Sequence, residues 1–123
     1  MRFNRILVVD DSATSRLIVK RCFEIAGFSD ATFVESPDGA AALDLLRTSR
    51  FDLVVTDLRM PRVDGVTLVR KMRASSFAAS IPVVVISSVA RASDKEATLG
   101  DSVLAVVQKP LSPAKLMHAL KTE

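Results

Sequence analysis

The stretch Arg5-Ile6-Leu7-Val8-Val9-Asp10-Asp11-Ser12 decides the fold. An unbroken apolar run ends abruptly in two aspartates and a serine. A strand with one wet face alternates apolar and polar residues. A continuous run suits a parallel strand buried on both faces. Runs of the same kind return at Leu53-Val54-Val55, at Val83-Val84-Val85-Ile86 and from Val103 to Val107, and a weaker one covers about Ala31 to Glu35. Helical patterns lie between them. Ser12 is placed to cap a helix that carries Ile18, Cys22 and Ile25 inward and stops at Gly27. Ser36-Pro37 is expected to start the next, with Pro37 at its first position and Ala42, Leu43 and Leu46 on the helical period. A third begins near Gly65, with Leu68, Val69 and Met72 on one side. A short polar helix is expected around Ser93 to Leu99, and a last one from Ser112-Pro113 carries Leu116, Met117 and Leu120.

This alternation predicts an α/β fold: a doubly wound, five-stranded parallel sheet of order 2-1-3-4-5, flavodoxin-like, with residues 1–123 as a single domain. The 123 residues are 49% hydrophobic and 25% charged, enough apolar material for a real core and too few residues for two domains. A single cysteine, Cys22, excludes an internal disulfide and fits a reducing compartment. The first apolar run is too short for a signal peptide or a membrane span, so a cytoplasmic location is expected. The net charge of +3 is dispersed over helices, with Arg16, Lys20 and Arg21 in one and Arg70, Lys71 and Arg73 in another, as solvated faces. With no Trp or Tyr to stack on bases, nucleic acid is not the expected partner, and neither is a membrane.

Sheets of this kind bind ligands at the carboxyl ends of their strands, beside the point where strand order reverses. There the first strand ends in Asp10-Asp11, the third in Asp57, the fourth in Ser87 and the fifth in Lys109. Each residue has a plainer explanation taken singly: a helix cap, a turn carboxylate, a strand end, a surface lysine. Their convergence on one edge is what distinguishes them. Clustered carboxylates repel, and a hard divalent cation among them relieves this. Mg²⁺ favours one or two carboxylates completed by phosphate oxygens. Lys109 would supply a point charge for a phosphoryl group, Ser87 a hydrogen bond, and a carboxylate can itself be the nucleophile. His118 and Cys22 are expected to be surface and core residues without chemistry.

These residues carry a resemblance. The first strand with its acidic pair, the segment Asp57-Leu58-Arg59-Met60-Pro61-Arg62-Val63-Asp64-Gly65, and Lys109-Pro110 are together similar to the receiver domain of bacterial two-component response regulators, over nearly the whole chain. The resemblance implies Asp57 as phosphoacceptor and Mg²⁺ held by Asp10, Asp11, Asp57 and the backbone carbonyl of Arg59. It implies Ser87 as the switch hydroxyl, Lys109 bridging to the phosphoryl group, and a cis bond before Pro110. It further implies a phosphohistidine donor on a histidine kinase or phosphotransfer protein docking near the first helix, and a downstream protein effector. The chain would catalyse only its own phosphorylation and dephosphorylation. Its end after the last helix fits either a stand-alone receiver or one excised from a longer protein.

Three departures qualify the resemblance. Val106 stands three residues before Lys109, where the family carries Tyr or Phe, and a short β-branched side chain cannot repeat the swing of a ring. Gly100 lies further from Lys109 than is usual. Arg59 and Val89 occupy the positions two beyond Asp57 and Ser87, which tune phosphoryl lifetime; apolar Val89 predicts slow self-dephosphorylation. Val106 supports a rival reading, a receiver-like binding module independent of phosphorylation, and the intact acidic set opposes it. An aspartyl-phosphate phosphatase of the dehalogenase type is opposed by Arg59, where that class has a second aspartate. No glycine-rich nucleotide motif is present.

Overall fold

The computed structural model describes residues 3–88 and 103–120. Five parallel strands form one sheet in the order β2-β1-β3-β4-β5: β1 Arg5–Val9, β2 Thr32–Ser36, β3 Leu53–Asp57, β4 Val83–Ser87 and β5 Ala105–Gln108. Successive side chains of each strand leave on opposite faces. Ile6 and Val8 join Leu53, Val55, Val84 and Ile86 in one buried cluster. Leu7 and Val9 join Val54, Val83 and Val85 in the other. The continuous apolar runs are therefore explained: both faces of the sheet are covered. Helix α1 (Ala13–Phe23) and the last helix (Pro113–Leu120) close the first face, while α2 (Gly39–Thr48) and α3 (Gly65–Arg73) close the second.

The caps of these helices set where the loops at the sheet edge begin. Ser12 accepts the Ser15 N–H of α1 at 3.2 Å, Asp64 the Thr67 N–H of α3 at 2.8 Å, and Ser112 the Lys115 N–H of the last helix at 3.1 Å. The expected start of α2 at Pro37 is corrected. Asp38 is the cap, its Oδ1 accepting the Ala41 N–H at 2.8 Å, and Pro37 lies outside the helix. A buried carboxylate cap satisfies an otherwise orphan N–H more strongly than the preference of Pro for a first helical position.

Three other expectations are corrected. The inward stripe of α1 is Val19, Cys22 and Phe23, not Ile18, Cys22 and Ile25. Ile18 is 49% and Ile25 71% exposed. Both sets share Cys22 and the helical period, so the stripe turns by one residue, and the large Phe23 ring takes the core position. Phe23 meets Phe28 and Phe33 at centroid distances of 5.7 and 6.2 Å. Ile25 falls in the wide turn Glu24–Phe28 that follows α1, where Gly27 takes φ +114°, a left-handed conformation suited to glycine. Met117 faces outward between buried Leu116 and Leu120. Strand β5 begins at Ala105 rather than Val103, the position from which the ladder to β4 runs, Ala105 beside Val84. The expected helix at Ser93 to Leu99, together with Val89 and Gly100, lies outside the described residues. Among the described residues no helix is long and apolar enough to cross a membrane.

The corrected stripe makes a direct prediction. Phe23→Ala should cost about 3–5 kcal/mol of folding stability, whereas Ile25→Ala should change it by less than about 0.5 kcal/mol. Urea unfolding of the two variants against wild type measures both.

Candidate functional site

Strands β1 and β3 are neighbours in register, with Val9 beside Thr56, so the residues that follow them emerge side by side. Asp10 comes directly after β1, and Asp57 is the last residue of β3. Asp10 is buried, Asp57 half-buried and Asp11 exposed, and a carboxylate oxygen from each lies within 4.8 Å of the others. From the far side of β4, Lys109 brings its Nζ to 3.2 Å from Asp57 Oδ2 and 3.9 Å from Asp10 Oδ2. Its backbone N–H donates to the Ser87 carbonyl at 2.7 Å, which holds this end of the strand. The bond to Pro110 is cis.

Each buried carboxylate also has a local anchor. Asp10 Oδ1 accepts the Ser12 N–H at 2.9 Å, and Asp57 Oδ1 accepts the Leu58 N–H at 2.8 Å. Behind Asp57 the chain is tightly closed. The Gly65 N–H donates to the Leu58 carbonyl at 2.9 Å, and a Cβ on Gly65 would stand 2.4 Å from the Asp57 carbonyl oxygen. Only glycine fits there, which gives the Asp64-Gly65 pair a physical role in the loop. Within that loop Arg62 adopts φ +68°, uncommon for a residue with a side chain, and its Nη1 lies 3.6 Å from Asp38 Oδ2.

The electrostatics are strained in one direction. Burial pushes the Asp57 carboxyl above its ordinary range; the hydrogen bond and charge of Lys109 pull it back, the Asp10 carboxylate pushes it up again, and the Leu58 N–H lowers it, with a net rise. Of the three carboxylates, Asp10 and Asp57 pair with the Lys109 ammonium. All three offer hard oxygen ligands, and oxygens on opposite sides of an octahedral Mg²⁺ ion stand about 4.2 Å apart. The spacing, the donor type and the excess negative charge therefore fit a small hard divalent cation.

The sequence-predicted residues divide as follows. Asp10, Asp11, Asp57 and Lys109 are brought together. Ser87 is buried one residue beyond Ile86, which pairs with Asp57 across the β3–β4 ladder. Arg59 follows in the loop with its side chain exposed. Exposed His118 lies on the last helix. Cys22 is a core thiol; burial raises its pKa, and its Sγ lies 3.7 Å from the Leu111 carbonyl. Arg16 was expected on a solvated face. Instead its side chain is 17% exposed and bonds the Asp10 carbonyl and Glu35. A hollow of about 320 Å³ adjoins the cluster between α1 and the Lys109-Pro110-Leu111 turn. A larger one, about 440 Å³, lies among Leu46, Arg50, Phe51 and Phe77, residues that neighbour the starts of β3 and β4 at the opposite edge of the sheet.

The family model described as the response regulator receiver domain matches residues 6–121. The chain belongs to that family. It is 34% identical to the chemotaxis protein CheY-3 of Vibrio cholerae over 116 residues, 94% of this chain and 88% of that one. It is 35% identical to the sensor protein EvgS of Escherichia coli O157:H7 over 117 residues, 95% of this chain but only 9% of EvgS. Among solved structures, chemotaxis protein CheY4 of Vibrio cholerae superposes with a TM-score of 0.83 at 25% identity, covering 98% of both chains. A response regulator receiver protein from Pseudomonas putida gives 0.82 at 26% identity, covering 100% of this chain and 99% of that one. Membership places the chain among the receiver domains of two-component signalling, consistent with a phosphoacceptor.

The raised pKa of Asp57 gives a pH prediction. A carboxyl that binds its proton more tightly when folded contributes stability below its ordinary value of 3.8, and this is lost as pH rises through the higher folded value. Asp57→Asn cannot ionise. In buffer free of divalent ions the variant should therefore be more stable than wild type at neutral pH, and the difference should shrink as pH falls through that window. Thermal unfolding of both proteins from about pH 3, below the ordinary carboxylate pKa, to about pH 8, well above it, measures this.

Proposed function

We propose that this receiver domain takes a phosphoryl group from a phosphohistidine onto Asp57, with Mg²⁺ held by Asp10, Asp11, Asp57 and the backbone carbonyl of Arg59. The observation that carries the reading is the convergence of three carboxylates within 4.8 Å, with the Lys109 ammonium 3.2 Å from Asp57. When bound, Mg²⁺ would neutralise the cluster and the incoming phosphoryl oxygens. A carboxylate oxygen of Asp57 attacks phosphorus as the P–N bond to the donor imidazole breaks. The bonding pair returns to the ring nitrogen, which takes up a proton. Little covalent work falls to the protein, whose part is to position groups and offset charge. Lys109 shifts from pairing Asp57 toward the new phosphoryl oxygens, and the Ser87 hydroxyl binds another of them.

The donor is a histidine kinase or a histidine phosphotransfer protein. Relatives such as EvgS and the sensor histidine kinase TmoS of Ectopseudomonas mendocina support that class. Its docking surface is the outer face of α1 beside the cluster, where Leu17 and Ile18 are each 49% exposed and Ile18, Val19, Ile86, Pro110 and Leu111 line the apolar hollow. Such a face suits an amphipathic partner helix. Phosphorylation adds most of two negative charges. The conformation that binds this charge better gains population in proportion to the difference, and a downstream protein effector reads the shift. Val106 is half-buried against the α2 and α3 side of the sheet, and its short β-branched side chain cannot couple the shift by an aromatic swing. The domain acts in the cytoplasm and catalyses only its own phosphorylation and dephosphorylation.

Incubation of the purified chain with acetyl phosphate, followed by intact mass, tests the reading. A gain of one phosphoryl group is expected with Mg²⁺, none without it, and none in Asp57→Ala. No gain in wild type from either acetyl phosphate or a phosphohistidine donor would instead support a phosphorylation-independent binding module.

A further inference from the structure

We infer that Arg16 is a positioning residue for the acidic cluster: its guanidinium fixes the end of β1, and through it the Asp10 carboxylate. The inference rests on the metal-dependent reading of the cluster given above. Arg16 lies one turn into α1, and helical side chains lean back toward the helix N-terminus. Its Nη1 donates to the Asp10 carbonyl at 2.6 Å, and its Nε donates to Glu35 Oε1 at 2.8 Å. Glu35 stands on β2 beside Val8 of β1. Asp10 is held from that side as well, its N–H donating to the Ser36 carbonyl at 3.1 Å. One planar fork thus ties α1, the β1 end and β2 together around the backbone of Asp10. The guanidinium bonds the carbonyl, not the carboxylate, which leaves Asp10 Oδ2 facing Lys109 and the cluster.

A cation is otherwise out of place here. A helix N-terminus disfavours positive charge, and a positive charge beside a divalent-ion site weakens that site. Charge alone and positioning therefore predict opposite signs. If Arg16 acted only as a charge, its removal would tighten Mg²⁺ binding. If it positions Asp10, removal loosens binding, by about tenfold for groups that orient a ligand. Lysine keeps the charge but cannot bridge both acceptors as a fork.

The test is calorimetric titration of the full chain with Mg²⁺ for wild type, Arg16→Ala, Arg16→Lys and Glu35→Gln, beside urea unfolding of each in divalent-free buffer. Expected is an Mg²⁺ Kd raised about tenfold in both Arg16 variants and raised less in Glu35→Gln, beyond what any loss of metal-free stability explains. Should Arg16→Ala not fold, Arg16→Lys carries the comparison. An unchanged or lowered Kd in the Arg16 variants, with wild type binding normally, overturns the positioning role alone. Wild type failing to bind Mg²⁺ overturns the metal-dependent reading and this inference with it.

Discussion

The repulsion among Asp10, Asp11 and Asp57 is the constraint on which the rest depends. No local preference draws these carboxylates together. They meet because β1 and β3 are adjacent parallel strands that end at the same edge, and because two separate apolar clusters clamp the sheet from both sides. Core packing sustains a site that is unfavourable on its own: burial first, and the Asp10 charge to a lesser degree, push the Asp57 carboxyl above its ordinary range. A stored electrostatic penalty becomes useful when a cation and a phosphoryl group can relieve it, since the relief then depends on ligand and can bias conformation.

Much of this was legible in the sequence. Short apolar runs rich in β-branched residues and bounded by turn residues point to strands buried on both faces, and parallel alternation then fixes which strand ends coincide. The chemistry-bearing residues were visible because they punctuate those runs: Asp10 after Val9, Asp57 after Thr56, Ser87 after Ile86. The residues misread were those whose place depends on rotation or on long side chains. The stripes Ile18/Cys22/Ile25 and Val19/Cys22/Phe23 share one period, and only the aromatic cluster of Phe23, Phe28 and Phe33 chooses between them. Pro37 had the right preference for a helix start, yet the buried Asp38 side chain supplied the stronger cap.

Arg16 looks like a solvated charge in the sequence because one of its contacts is to a backbone carbonyl and the other to Glu35 on a distant strand, neither of which leaves a mark in a local pattern of residue types. A signal did exist. A basic residue in the opening turns of a helix opposes the macrodipole, and at that position a long side chain reaches back toward the preceding strand end. Likewise, the need for glycine at position 65 follows from how closely that residue approaches the Asp57 carbonyl, a distance that only the folded loop reveals.

The most direct measurement is the unfolding free energy of wild type and Asp57→Asn as Mg²⁺ is raised from zero. If the carboxylates are held together against their own repulsion, wild type gains stability with Mg²⁺, by about 2.7 kcal/mol at a hundredfold excess over Kd, and Asp57→Asn gains markedly less. Equal gains in the two proteins, or none in wild type, would contradict the account.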